Sequence, residues 1–200
     1  MPAFGAAHPG VALMGAHPGP PPGAAADERL RVYFALWPPA EVAAQLGAWQ
    51  QVLHAALGGR IMRPDGLHVT LAFVGDIAAP RLPELLEIGA RAGAPAASLC
   101  LDQAGAWRHN RIGWAGTRAV PPALAGLAAA LADALRGAGF SVESRPWVPH
   151  VTLLRNVVRC APVPQDLAPV RWDVSGFCLV RSRLDARGAR YERLAGWPRR

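Results

Sequence analysis

The chain has 200 residues, 52% of them hydrophobic and 18% charged, which is enough apolar sequence for one globular domain or two small lobes and excludes a multidomain assembly. All 21 basic residues are arginine, so mechanisms that need a lysine amine are excluded, among them the P-loop phosphate grip, Schiff-base chemistry and nucleotidyl transfer to lysine. The formal net charge of +7 favours a phosphorylated or polyanionic partner, because guanidinium groups bind phosphate in a bidentate geometry.

Cysteine usage and the start of the chain bear on metal binding and on the cellular compartment. Cys100, Cys160 and Cys178 are odd in number and lack CxxC spacing, so the sequence predicts neither a disulfide framework nor a zinc site. No basic segment followed by an apolar run opens the chain, and no run of about 18 apolar residues occurs in it. We therefore expect a cytoplasmic protein that does not contact membranes.

The order of elements is typical of a mixed α+β fold. Residues 1–28 are dominated by Ala, Gly and Pro, which predicts a disordered tail before one domain over residues 29–200. Hydrophobic periodicity and turn residues predict the elements that follow. In chain order these are a strand over 30–36, a helix over 41–57, a strand over 67–74, a helix over 80–92, strands over 99–101 and 112–115, a helix over 121–137, a strand over 149–154, and a hairpin of 172–184 with 191–194. Helices mixed with hairpins indicate antiparallel sheets.

The tetrapeptide His-Val-Thr-Leu occurs twice, starting at His68 and at His150. Both copies lie in predicted strands, where residues i and i+2 point to the same face, so His68 stands beside Thr70 and His150 beside Thr152. If an approximate two-fold axis relates the two halves, the four side chains meet around one groove. Two imidazoles of near-neutral pKa are the base and acid that in-line attack at phosphorus needs, and the hydroxyls can bind its non-bridging oxygens without a metal.

These motifs and their flanking segments resemble the 2H phosphoesterases, a family named for two His-x-Thr/Ser-x motifs, and within it the RNA 2′,3′-cyclic phosphodiesterases, historically called 2′-5′ RNA ligases. The resemblance covers about residues 29–198, and its main segments are 31–36, 67–75, 149–155 and 182–192. It implies an α+β fold in which two pseudosymmetric lobes of antiparallel sheet, with flanking helices, surround a central cleft.

The resemblance also implies an activity and roles for the motif residues. The activity is hydrolysis of a 2′,3′-cyclic phosphate on RNA or a nucleotide to a 2′-phosphate. Separately from the resemblance, we expect no cofactor or metal and a monomer that needs no protein partner. His68 would protonate the departing 3′ oxygen and His150 would activate water, an order that the residues alone do not settle. Thr70 and Thr152 would hold the phosphate oxygens.

Two further residues are candidates for substrate binding. By the resemblance Arg155 contacts phosphate, although in a regular strand it lies on the face opposite His150 unless a bulge or the strand's end reorients it. Phe34 either stacks on a base of the substrate or lies buried in the sheet.

Three other functions fit part of the pattern. A non-catalytic RNA- or nucleotide-binding module on the same fold would keep the basic groove but could lose either histidine. An enzyme working in the ligation direction would join a 2′,3′-cyclic end to a 5′-hydroxyl with the same acid and base. A metal-dependent phosphodiesterase is disfavoured, because no His-Asp pair or acidic cluster with ligand spacing accompanies either motif.

Overall fold

A computed structural model describes residues 28–94, 96–185 and 188–198. Its helices and antiparallel sheets confirm the predicted α+β class. The helices are α1 (Ala40–Leu57), α2 (Leu82–Ala92) and α3 (Pro122–Gly137). The strands are β1 (Arg29–Leu36), β2 (Arg60–Ile61), β3 (Val69–Ala78), β4 (Ala97–Leu101), β5 (Gln103–Trp107), β6 (Ile112–Gly116), β7 (His150–Arg155), β8 (Val170–Val174), β9 (Gly176–Asp185) and β10 (Gly188–Pro198).

The central sheet joins two related halves. Its strand order is β10-β9-β1-β3-β7-β6-β5, with β2 also paired to β7. In each half a helix connects two antiparallel neighbours, as β1-α1-β3 and as β6-α3-β7. The halves meet where β3 pairs with β7 through Val69 and Val151. Because this pairing is antiparallel, an approximate two-fold axis passes between the two valines.

The two faces of the central sheet differ in what covers them. The main core lies on one face and includes Phe34 of β1, Leu46 of α1 and Leu131 of α3, all fully buried. A second, smaller cluster on the other face contains buried Tyr33 and Ala35 of β1. Alternation along β1 therefore sends consecutive residues into two different environments.

One difference from the predicted elements concerns the segment over 172–184. The segment predicted as one strand over 172–184 is two strands, which are separated at Ser175, a residue that belongs to neither strand. The first part, β8, pairs with β4 in a separate two-stranded sheet, whereas β9 joins the central sheet beside β1. Gly176 starts β9 where a Cβ would lie 2.4 Å from the Trp197 carbonyl oxygen, so only glycine allows β10 to approach this closely.

The N-terminal boundary lies close to the predicted one. The predicted tail over residues 1–28 falls outside the described residues except for Glu28. The Glu28 carbonyl accepts a hydrogen bond from the Ala79 amide, and its carboxylate pairs with Arg181. Within the described part of the chain, no helix is long and apolar enough to cross a membrane.

Candidate active site

The two His-Val-Thr-Leu motifs lie at the junction of the two halves of the central sheet. His68 directly precedes β3 and His150 opens β7. Since Val69 faces Val151 in an antiparallel pair, His68 lies toward Thr152 and His150 toward Thr70. Both valines are fully buried, so the four motif side chains point to the opposite side, which we call the motif face.

Both imidazoles are held in the same way by the backbone. His68 Nδ1 lies 2.8 Å from the Gly66 carbonyl oxygen, and His150 Nδ1 lies 2.9 Å from that of Val148. Because a carbonyl only accepts, Nδ1 is the donor in both contacts. In the neutral ring the lone pair is then on Nε2, so each histidine presents Nε2 for proton transfer. In both cases the carbonyl belongs to the residue two positions earlier, which agrees with the two-fold relation.

Burial makes both histidines prefer the neutral form. The pKa of His68 is lowered to about 4, mainly by loss of hydration and in smaller part by the positive charges of Arg155 and His150, against the raising effect of the Gly66 hydrogen bond. Burial also lowers the pKa of His150. A bound phosphate anion would act in the opposite direction, because a nearby negative charge favours the imidazolium. The charge of a bound anion therefore favours protonation of these histidines, which burial disfavours in the free site.

Aromatic rings surround His68. Trp37 stacks on the imidazole at 5.5 Å between centroids and 10° between planes, Tyr33 lies at 4.9 Å, and Tyr191 meets it edge-on at 5.3 Å. These rings bury His68, and burial is the largest cause of its lowered pKa. Sequence reasoning did not assign them to the site, although alternation along the first strand already places Tyr33, Ala35 and Trp37 on one face.

Aromatic rings also hold His150 from its own half of the sheet. Trp107 lies edge-on to the imidazole at 4.5 Å and 5.3 Å from Trp114. Trp114 faces Thr152 across the β6–β7 pair. Its indole covers Gly105, where a Cβ would lie 2.1 Å from the ring. The absence of a side chain at Gly105 therefore allows the indole to lie in this position.

A β-bulge decides where Arg155 points. Gly113 faces Leu154, but Trp114 faces Thr152, so Leu153 is an extra residue in β7. Leu153 and Leu154 are consecutively buried, and the alternation shifts by one position. Arg155 therefore returns to the motif face, where its charge acts on the pKa of His68.

The base-stacking role considered for Phe34 disagrees with its location. Phe34 is fully buried in the main core, on the face opposite the histidines, and its ring packs 6.2 Å from Phe177 and 5.8 Å from Trp197. A base could reach it only by unpacking the core. Its strand neighbour Tyr33, displaced by one position in the alternation, lies on the motif face instead.

Among the described residues, no three side chains of His, Cys, Asp or Glu form a group that could hold a metal ion. A neutral hydrogen bond is present near the motifs: the Trp147 indole donates to the Thr70 carbonyl at 2.8 Å. This bond ties the segment before the second motif to the first motif.

Comparison with known proteins finds relatives and solved structures that are similar to most of this chain. The chain is 33% identical over 171 residues to the RNA 2′,3′-cyclic phosphodiesterase of Escherichia coli K12, covering 86% of this chain and 97% of that protein. It is 29% identical to the protein of the same name from Thermus thermophilus, covering 81% and 86%. The crystal structure of E. coli LigT complexed with 3′-AMP superposes with a TM-score of 0.78 at 34% identity, covering 86% of this chain and 99% of that one.

A family model described as LigT like phosphoesterase matches the chain twice, over residues 36–114 and 116–191. The first match contains His68 and the second His150. The motifs, the fold and both matched segments agree that the chain belongs to the LigT-like phosphoesterase family of 2H phosphoesterases.

Proposed function

We propose that this protein hydrolyses 2′,3′-cyclic phosphates at the ends of RNA or on nucleotides and leaves a 2′-phosphate. The observation that carries the proposal is the matched pair of imidazoles, each with Nδ1 bonded to a carbonyl and Nε2 available on the motif face. Relatives of this chain are named RNA 2′,3′-cyclic phosphodiesterase, which supports the same substrate. The net charge of +7 suits a polyanionic chain.

In the proposed reaction each histidine makes one proton transfer. His150 Nε2 accepts a proton from water as the water oxygen attacks phosphorus. The bond from phosphorus to the 3′ oxygen breaks, and His68 Nε2 gives that oxygen a proton, leaving a 3′-hydroxyl and a 2′-phosphate. The transfers balance, and the histidines return to their initial states by exchanging protons with solvent.

The other motif-face groups hold the phosphate in this proposal. The Thr70 and Thr152 hydroxyls donate hydrogen bonds to its non-bridging oxygens, and the Arg155 guanidinium pairs with its negative charge. The same anion raises the pKa of His68, because a nearby negative charge favours the imidazolium. His68 can then be protonated and act as the acid, although in the free site it prefers the neutral form. We further propose that the protein acts as a monomer in the cytoplasm, where its RNA substrate would be.

The test is incubation of a 2′,3′-cyclic mononucleotide with the protein in EDTA, with the product identified by ³¹P NMR. We expect a 2′-phosphate from the wild type and roughly 10²-fold or greater loss of turnover in His68→Ala and in His150→Ala. His109→Ala is the matched control, because His109 is an exposed turn residue remote from both motifs in sequence. Wild-type turnover in either motif variant would exclude the two-histidine mechanism, and cyclic nucleotide that binds without reacting would indicate a binding module.

A further inference from the structure

Two arginines stand side by side next to the site. In the antiparallel pair of β2 with β7, Arg60 faces Arg155. Directly paired residues on neighbouring strands point to the same face, with Cβ atoms about 4.5–5.5 Å apart, and like charges in that position repel. Since Arg155 lies on the motif face, Arg60 lies there too. This repulsion destabilises the free protein unless an anion lies between the two groups.

Neither charge is balanced by the protein in the part of the chain that the structure describes. No hydrogen bond or ion pair from the Arg60 or Arg155 side chain is present there. Some other surface arginines are paired with carboxylates: Arg63 pairs with Asp65 at 3.2 Å and Arg81 with Glu84 at 2.7 Å. Arg60 and Arg155 have no such partner among the described residues and are available to an anion.

Local geometry brings the two arginines together. Gly59 has a φ of 91° and lies so close to the end of β7 that a Cβ would be 2.7 Å from the Arg155 carbonyl oxygen. Only glycine combines this left-handed conformation with so close an approach. It turns the chain from α1 directly into β2, where Arg60 is in register with Arg155.

Arg60 lies at the margin of the site, while Arg155 lies nearer its centre. Arg155 is close enough to His68 to lower its pKa. The Arg60 guanidinium extends toward the start of β10, where a Cβ on Gly188 would lie 3.9 Å from Arg60 Nη1. The same strand carries Tyr191, which contacts His68. An extended ligand can therefore contact the histidines and Arg60 together.

The charge of the substrate then limits what Arg60 can bind. A 2′,3′-cyclic phosphate is a diester with one negative charge, which Arg155 balances. We propose that Arg60 binds a second phosphate, the one on the 5′ oxygen of the terminal nucleotide, so that the site prefers an RNA end or a 5′-phosphorylated cyclic nucleotide to a cyclic nucleotide with a 5′-hydroxyl. This inference rests on the proposed function. The 5′ phosphate can come from an internucleotide link or from a free 5′-monophosphate, and the two sources share the same chemistry.

The test compares three substrates that end in the same 2′,3′-cyclic phosphate: a mononucleotide with a 5′-hydroxyl, the same mononucleotide with a 5′-phosphate, and a dinucleotide. We expect Arg60→Gln to lower kcat/KM about tenfold or more on the two substrates that carry the 5′ phosphate and to leave the 5′-hydroxyl substrate unchanged. A loss on the dinucleotide alone would identify the internucleotide link as the group that is bound.

Arg171→Gln is the matched control, because Arg171 is an exposed strand arginine in β8, outside the central sheet. It removes the same charge and should leave all three substrates unaffected. Equal losses on all three substrates in Arg60→Gln, no loss on any, or the same losses in Arg171→Gln would overturn the inference.

A binding measurement separates this inference from the proposed function. Fluorescence anisotropy with a dinucleotide ending in a 2′-phosphate needs no turnover. Weaker binding by Arg60→Gln, with Arg171→Gln unchanged, supports the second phosphate site even if the wild type hydrolyses none of the three substrates. Equal binding by wild type and Arg60→Gln overturns it even if hydrolysis proceeds as proposed.

Discussion

Acidification should lower the free energy of unfolding of the free protein, because His68 is buried in its neutral form. Burial lowers the pKa of His68 from 6.5 to about 4 in the folded state. The unfolded chain therefore binds a proton at this residue more readily than the folded protein, and stability falls as pH decreases through this interval. The full effect, reached below about pH 4, is about 3 kcal/mol, and between about pH 7.5 and about pH 5 it is about 2 kcal/mol.

The variant His68→Asn isolates this contribution. Asparagine cannot titrate, yet its side-chain amide can still donate to the Gly66 carbonyl that His68 Nδ1 contacts. The assay is urea unfolding of both proteins at a series of pH values, in a buffer without phosphate. His150, whose pKa is also lowered by burial, titrates in both proteins, so the comparison reports the titration of His68 together with its coupling to His150.

The expected result is a difference in the free energy of unfolding that changes by about 2 kcal/mol, with the wild type losing more stability at the acidic end. Inorganic phosphate should reduce the wild-type loss, because an anion on the motif face favours the imidazolium. Parallel stability curves for wild type and His68→Asn would refute the argument that burial by the surrounding rings sets the pKa of His68.

Four further predictions use different measurements. The pH profile of kcat/KM, which reports the free enzyme, should be bell-shaped with its maximum below about pH 6.5, because burial lowers the pKa of both histidines; a profile flat from about pH 5 to about pH 9 would contradict this. Phe34→Ala should cost about 3–5 kcal/mol of unfolding free energy by denaturation, as a core cavity does, and a variant as stable as the wild type would return Phe34 to the candidate substrate contacts. Arg155→Gln should lower kcat/KM by about 1.5–3 kcal/mol equivalent on a cyclic mononucleotide and on RNA alike; a loss confined to RNA would make Arg155 a distal contact. Removing residues 1–27 should leave activity and Tm nearly unchanged, since this Gly- and Pro-rich segment has few large apolar residues to bury; lower activity after truncation would mean that the segment contributes to the site.

Features that depend on short stretches of chain were predictable. The α1 helix was predicted and is confirmed. It was predictable because its signals, which are the apolar spacing, the proline near its start and the Gly58-Gly59 stop, all act within a few residues. The strand character of both motifs and the shared face of His68 and Thr70 follow from two-residue alternation, which is a property of any strand. The repeated tetrapeptide also indicated the two-fold relation, because duplicated strands with one pattern tend to occupy equivalent places.

Pairing decisions were not predictable from the same information. The chain between Trp172 and Leu184 alternates without an obvious break, yet β8 and β9 belong to different sheets. The strand that each joins is at least 69 residues away along the chain, β4 for β8 and β1 for β9. Local strand propensity does not depend on such distant partners and cannot predict them.

Within the site, the sequence by itself determined the reactive groups, and tertiary structure decided their surroundings. Two histidines and two threonines follow from the repeat, whereas the position of Arg155 required a bulge at Leu153, and a bulge arises only from the register between two strands. Phe34 and Tyr33 are adjacent aromatic residues of one strand, and only the packing of the helices on one face placed Phe34 in the core and Tyr33 against His68. The sheet therefore set the pKa values of the histidines, because burial is a property of the packed chain and not of the residues that carry the chemistry.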